Sequence, residues 1–249
     1  MVRVISIDTA TKSLAISIIN YNLDFLSDIE IAYNTYKKYK AICISALKPN
    51  DILHNSNLIN ELINAYNNLL DTVLKILNLR IDIEFMTVVD LIPGEKVTDT
   101  NIIYRTTKLH NYLNNILDPL IAKYDLPNHN FLFLLEYQMG PNVKSNAIST
   151  QIMYHLTKYT SPNTNIRLVG PSLKNKIVIG GQESNYSNFV EKYKTLYAAN
   201  KNHSKFNLIK LLQYLKKEKS IKHIKSKNID DIADSVIMSL AYILKHYWS

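Results

Sequence analysis

Val2 to Asp8 reads Val-Arg-Val-Ile-Ser-Ile-Asp, a β-branched run that closes on a carboxylate and predicts a buried strand. After Thr9-Ala10-Thr11-Lys12, the stretch Ser13 to Ile19 alternates Leu14, Ile16 and Ile18 with smaller residues, so a second strand is expected to fold back antiparallel on the first. From Tyr21 to about Glu84 the chain is rich in Asn, Tyr and Lys and reads as an insertion, with a strand-like piece at Ala41–Ala46 and a helical pattern from Leu58 to Leu79. Phe85 to Ile92 predicts another strand, stopped by Pro93-Gly94. Ile102 to Tyr124 carries apolar residues at helical spacing until Leu126-Pro127 ends it.

The second half opens on Phe131-Leu-Phe-Leu-Leu135, a continuous apolar run closing on Glu136, as expected of a strand buried on both faces. Pro141-Asn142 begins a helix reaching Tyr159, Ile166 to Val169 is a short strand, and Gly170-Pro171 turns the chain. Gly, Ser and Asn between Gly180 and Asn202 predict an exposed, mobile segment. Two helices follow: a basic amphipathic one from Lys205 to Lys217, and Ile229 to Tyr247, whose stripe includes Ile232, Ala233, Val236, Ile237, Leu240 and Leu244. The expected class is therefore α/β, a mixed sheet flanked by helices, with residues 1–249 as one domain interrupted by the insertion at about 21–84.

Composition narrows the function. With 249 residues, 47% apolar and 20% charged, the chain is long enough for a sizeable core and is not a disordered sequence. No apolar run approaches the roughly 18 residues of a membrane span, and the start lacks a secretory pattern. The single cysteine, Cys43, excludes an internal disulfide and a cysteine-based zinc site, and suits a reducing compartment. The net charge of +8 is not evenly spread: Lys174 to Lys227 holds thirteen lysines against Glu183, Glu191 and Glu218. Such a block is the usual footprint for a phosphate backbone, although a solvated helix face carries the same signature.

Just beyond the basic block come Asp231 and Asp234, three apart at the start of the last helix and so on one face of it. Asp8 and Glu136 each end a strand. Singly, each acid has a plain structural explanation: a turn, a strand end, or a charge opposing a helix dipole after Asn228. Taken together, they would meet at the carboxyl edge of the sheet if the two strands are adjacent and parallel, and such edges are where α/β sheets place ligands. Four clustered carboxylates repel by several kcal/mol at an effective dielectric near 20 unless cations neutralise them, roughly. Their hard oxygens favour Mg²⁺, with Mn²⁺ as a substitute, over zinc. A pair of such ions is the usual catalyst for in-line attack on a phosphodiester.

Four blocks resemble the RuvC-type Holliday-junction resolvases of the RNase H-like superfamily, and within them the poxvirus branch. They are Val4-Ile-Ser-Ile-Asp-Thr-Ala-Thr-Lys12, Phe133-Leu-Leu-Glu-Tyr-Gln138, Val169-Gly-Pro-Ser-Leu-Lys-Asn-Lys176 and Ile229-Asp-Asp-Ile-Ala-Asp-Ser235. The family's usual glycine two residues after the first Asp is Ala10 here. The resemblance implies an RNase H-like fold and a metal-dependent endonuclease that acts as a homodimer on four-way DNA junctions. It implies symmetric nicks with 5′-phosphate and 3′-hydroxyl ends, and a viral protein working in host cytoplasm on genome concatemers.

The roles expected on both lines are metal ligation by Asp8, Glu136, Asp231 and Asp234, with Asp8 bridging two ions, and stabilisation of phosphate charge by Lys174. Lys176, Lys201, Lys205 and Lys210 are expected on the DNA backbone, where contacts position rather than specify. Tyr137 and Tyr186 are candidate wedges, with packing the commoner role for a chain holding 17 tyrosines. A two-fold substrate favours a two-fold enzyme, and the helix Asn142–Tyr159, with Ile148, Ile152, Met153 and Leu156 on more than one side, is the candidate dimer face. Neither a membrane nor a nucleotide cofactor is expected. Two readings compete: an actin-like or sugar-kinase ATPase, disfavoured because only five glycines exist and none follows Asp8, and a basic DNA-binding protein of the same fold without chemistry.

Overall fold

In a strand successive side chains point to opposite faces, and that alternation in the first strand sets the architecture. The computed structural model describes residues 2–10, 12–21, 26–46, 56–96, 101–123, 130–137, 143–159, 164–177, 179, 181–222 and 228–248. Strands β1 (Val2–Thr9) and β2 (Ser13–Tyr21) pair antiparallel from Val2↔Tyr21 to Thr9↔Leu14. β3 (Ile81–Asp90) extends this meander antiparallel beyond β2. On the other side of β1 lies β4 (Asn130–Glu136), parallel to it, and then β5 (Thr164–Val169), parallel to β4. The order is β3-β2-β1-β4-β5, a mixed sheet as expected from the sequence.

Both faces of the sheet are covered, which is why β1 and β4 read as nearly continuous apolar runs. Ile5, Ile7, Phe131, Phe133 and Leu135 pack on one face against α3 (Ile102–Tyr112), α4 (Asp118–Ala122) and α5 (Val143–Leu156). Val4, Ile19 and Leu134 face the other way, against α7 (Leu196–Tyr214) and α8 (Ile229–Trp248). Leu109, Leu113, Leu117 and Ile121 are all fully buried at intervals of four. A four-residue repeat drifts around a 3.6-residue turn, and the π-helical turn Leu113–Leu117 joining α3 to α4 takes up that drift.

One polar cluster ties this second helical layer together. Asp118 of α4 accepts hydrogen bonds from His155 Nε2 of α5 at 2.7 Å and from Tyr159 Oη, and pairs with Lys158. Burial works against the Asp118 charge, but Lys158, Tyr159 and His155 outweigh it and hold its carboxyl below the usual range. Since folding lowers this pKa, the stabilisation is complete above the unfolded value and is lost as pH falls through the lowered one. Asp118→Asn should therefore cost about 1–2 kcal/mol in thermal melts at neutral pH. The gap from the parent should close as the melts are repeated at increasingly acid pH; a gap indifferent to acid would contradict the assignment.

Several expectations need correcting. Ala41–Ala46 is the end of a helix, α1 (Leu26–Ala46), not a strand: Cys43 is buried with Ile29 and Ala32 at helical spacing, while Ile42 and Ile44, which suggested alternation, are exposed. The stretch expected as an insertion, about 21–84, overlaps two strands at its ends. Tyr21 ends β2 and Ile81–Glu84 begin β3, where Ile81 and Ile83 are buried around the exposed Asp82. The expected helix at Leu58–Leu79 lies within α2 (Ser56–Arg80), which pairs with α1. The segment expected to be mobile is ordered from residue 181 onward. It forms a 3₁₀ turn Gly181–Ser184, the short α6 (Tyr186–Lys192) that buries Phe189, and the first turns of α7, capped by the Thr195 side chain. Pro141 and Asn142 lie outside the described residues. Among the described residues no helix is long and apolar enough to cross a membrane.

The segment that carries α1 and α2 leaves the sheet where Tyr21 pairs with Ile81. Tyr21 is opposite Val2, six residues before Asp8, which places the root of that segment roughly 20 Å along the strand from that carboxylate.

Candidate active site

β1 and β4 are adjacent and parallel, and their register closes on Ile7↔Leu135. Asp8 and Glu136 come next, on the same side as Val4, Ser6 and Leu134, which is the side covered by α8. Both are buried. α8 begins in front of them, and its first turns carry Asp231 and Asp234 to the same cavity, of about 350 Å³. The helix is pinned there by hydroxyls. Ser13 of β2 donates to Asp231 Oδ2 at 2.8 Å; Ser235 donates to the Ser6 carbonyl at 3.0 Å and shares a 2.7 Å hydrogen bond with the Ser17 hydroxyl. On the other side Thr9 and Ser149 share a hydroxyl bond of 2.9 Å that holds α5 to the end of β1.

Two lysines reach into the acids. Lys174 Nζ, from the 3₁₀ turn Pro171–Lys176, lies 3.1 Å from Glu136 Oε1 and 3.4 Å from Asp234 Oδ2, and the side chain is buried. Lys201 Nζ of α7 lies 3.1 Å from Asp231 Oδ1 and 2.6 Å from Asp234 Oδ2. Burial opposes the charge of each lysine, yet the surrounding carboxylates hold both above the ordinary lysine value, chiefly Asp8 and Asp234 for Lys174 and Asp234 and Asp8 for Lys201. Asp8 moves the opposite way from an exposed carboxylate: burial first, then the charge of Glu136 and a hydrogen bond with it, push its pKa well up. The Asp8 charge is therefore held in the folded chain at a cost.

Two ammonium groups share the cavity with the four carboxylates and offset half of their charge. Among the described residues no three Asp, Glu, His or Cys side chains are grouped as ligands of a metal ion as they stand. The donor chemistry nevertheless suits Mg²⁺ or Mn²⁺, being entirely carboxylate oxygen. Asp234 Oδ1 is buried with no hydrogen-bond partner, an orphaned acceptor that a cation would satisfy.

The remaining expected residues are dispersed. Lys201, expected on the DNA backbone, lies inside the acidic cluster. Lys176 is exposed on the 3₁₀ turn. Lys205, half-buried, lines a separate groove with Phe206, and Lys210 stands 5.3 Å from the Phe206 ring and 3.8 Å from Glu183. Tyr137 is half exposed beyond β4, whereas Tyr186 is half-buried, hydrogen-bonded to Asn200 and edge-on to His203, a packing role. On α5, Ile148, Ile152 and Leu156 all face the sheet, leaving Val143, Met153 and Tyr154 outward. Ser13, Ser235 and the placement of Lys201 were not read from the sequence. Lys201 carries no distinguishing signal there, since α7 bears lysines at 201, 205 and 210 on several faces.

The chain is thus an α/β fold, a mixed five-stranded sheet flanked by helices, with a lysine-bridged acidic pocket at its carboxyl edge. No protein-family model and no curated protein matches it. Among solved structures, one described as the Thermus thermophilus RuvC structure is similar at a TM-score of 0.47 and 8% identity, over 98% of this chain and 97% of that one. T. thermophilus RuvC in complex with Holliday junction substrate is similar at 0.45 and 9%, over the same shares. What the pocket can do follows from its own side chains.

Proposed function

We propose that the protein is a divalent-cation-dependent endonuclease that nicks branched DNA, with four-way junctions as its substrate. The observation that carries this reading is the convergence of Asp8, Glu136, Asp231 and Asp234 with Lys174 and Lys201 in one cavity. Asp8, Glu136, Asp231 and Asp234 would hold Mg²⁺ or Mn²⁺, which when bound supplies Lewis acidity toward the phosphodiester. The orphaned Asp234 Oδ1 supports that ligand set. Lys174, fixed by Glu136 and Asp234, neutralises charge growing on the phosphate oxygens as the bond is cleaved. Lys201, held by Asp231 and Asp234, meets the phosphate from the α7 side.

Lys176, Lys205 and Lys210 follow the backbone and set orientation. Two-fold symmetry of the substrate favours a homodimer, and the outward Val143, Met153 and Tyr154 of α5 offer an apolar face for it. The finer likeness to the poxvirus branch, and with it a viral role in concatemer resolution, is supported by the four sequence blocks alone.

The test is a cleavage assay with Mg²⁺ on a labelled four-way junction and on a linear duplex of the same arms. Paired nicks bearing 5′-phosphate ends should form in the junction, with the duplex spared and EDTA abolishing both. Junction binding without nicking at any Mg²⁺ or Mn²⁺ concentration would reduce the protein to a DNA-binding module, and equal cleavage of the duplex would remove the junction specificity.

A further inference from the structure

A second cavity, of about 520 Å³, opens between α6 and α7 and takes no part in the acidic pocket. Its size is that of a small-ligand site. Phe189 of α6 forms the floor and is nearly buried. The Phe206 ring packs edge-on to it at 5.6 Å, and the Tyr193 ring lies almost parallel to it at 6.3 Å. Lys192 and Lys205 line the same groove. Glu183 lines it too, 3.8 Å from Lys210, and the lysines outnumber that carboxylate; the groove therefore suits a ligand that offers a flat apolar ring together with a negative charge.

The groove also has a fixed relation to the pocket. Lys201 sits among the carboxylates and Lys205 in the groove. Four residues apart on α7, they are neighbours on its surface, about 6 Å along the axis. Asn202, Phe206 and Ile209 carry the groove on around the helix, away from the acids. A nucleic-acid strand with one phosphate at the acidic pocket would reach the groove within a nucleotide or two, given about 3.4 Å per phosphate along a strand.

We infer that the groove between α6 and α7 is a stacking subsite for an unpaired nucleotide, its base on the Phe189–Phe206–Tyr193 surface and its phosphate between Lys192 and Lys205. This rests on the nuclease reading for the identity of the ligand as DNA, but not on cleavage. Stacking on aromatic side chains tolerates any base, since every base has a π-face, so the subsite would hold a strand splayed at a branch without reading its sequence.

The test uses the full chain in EDTA and measures fluorescence anisotropy with two labelled decamers of equal charge, oligo-dT and an abasic strand. The parent should bind oligo-dT about tenfold more tightly than the abasic strand. Phe206→Leu should remove that difference, Phe206→Tyr should keep it, and Lys205→Gln should weaken both strands alike. Equal affinity of the parent for the two decamers would overturn the subsite, and this comparison stands even if Phe206→Leu fails to fold. A folded Phe206→Leu that still prefers oligo-dT would overturn it as well. So would an oligoglutamate peptide that binds in a Phe206-dependent way while DNA shows no base dependence, which would assign the groove to an acidic protein partner. Because no cation is present, absence of nicking leaves this result intact, and loss of base dependence leaves the cleavage assay intact.

Discussion

Asp8→Asn and Asp234→Asn should each slow junction nicking by about a thousandfold or more, equivalent to about 4 kcal/mol of lost transition-state stabilisation. Their effects on stability should have opposite signs. Asp8 is buried beside Glu136 and its pKa is pushed up, so an uncharged amide there relieves repulsion that the folded chain now carries. Asp8→Asn should melt at the parent's temperature or above it, as expected where a site is held at the expense of stability. Asp234 is the acceptor shared by Lys174 and Lys201. Its amide leaves two largely buried ammonium groups short of an anion, and the melt should fall by about 3 kcal/mol. Calorimetric titration with Mn²⁺ should show heat with the parent and little with either variant. Full nicking by both variants would remove the acidic pocket from the chemistry, and a destabilised Asp8→Asn would show that holding the Asp8 charge in its buried place costs nothing.

The second large effect is expected at a residue that touches no substrate. Ser235 follows Asp234 directly and is fully buried, bonded to the Ser6 carbonyl of β1 and the Ser17 hydroxyl of β2. Its size fixes how closely α8 approaches the sheet, and so where Asp231 and Asp234 stand relative to Asp8 and Glu136. Ser235→Leu inserts a branched side chain where there is no room. It should cost about 1–3 kcal/mol in stability and, by displacing two carboxylates, about a hundredfold in nicking rate. Ser235→Ala leaves the spacing unchanged and should retain most of the nicking rate while losing about 1 kcal/mol or somewhat more with the hydrogen bonds. Equal nicking by the Leu and Ala variants would show that the helix position does not matter.

The strands were legible because their signals are local. A largely apolar run that closes on an acid says both that a strand is buried on two faces and about where it ends: β4 stops at Glu136, and β1 runs one residue past Asp8. The Asp-x-x-Asp spacing likewise places Asp231 and Asp234 on one helix face without further information. Ala41–Ala46 failed because two exposed isoleucines imitate alternation, and only packing against α2 shows that Cys43 sets the period. The ordered segment before α7 was missed because its Gly, Ser and Asn content outweighed a single anchor, Phe189. Lys201 could not be read at all: whether a lysine on a basic helix meets solvent or a carboxylate depends on how α7 lies against α8, a contact between segments with no shared pattern.

The acidic pocket is also an assembly in time. Ser13 and Asp231, bonded to each other, belong to the second strand and the last helix, so during synthesis the sheet's first carboxylate leaves the ribosome long before its partners exist. A nascent chain, or one cut before Ile229, lacks Asp231 and Asp234 and with them the core residues of α8. The pocket therefore cannot close until residues 229–235 have been made, whatever the order in which the earlier strands pair.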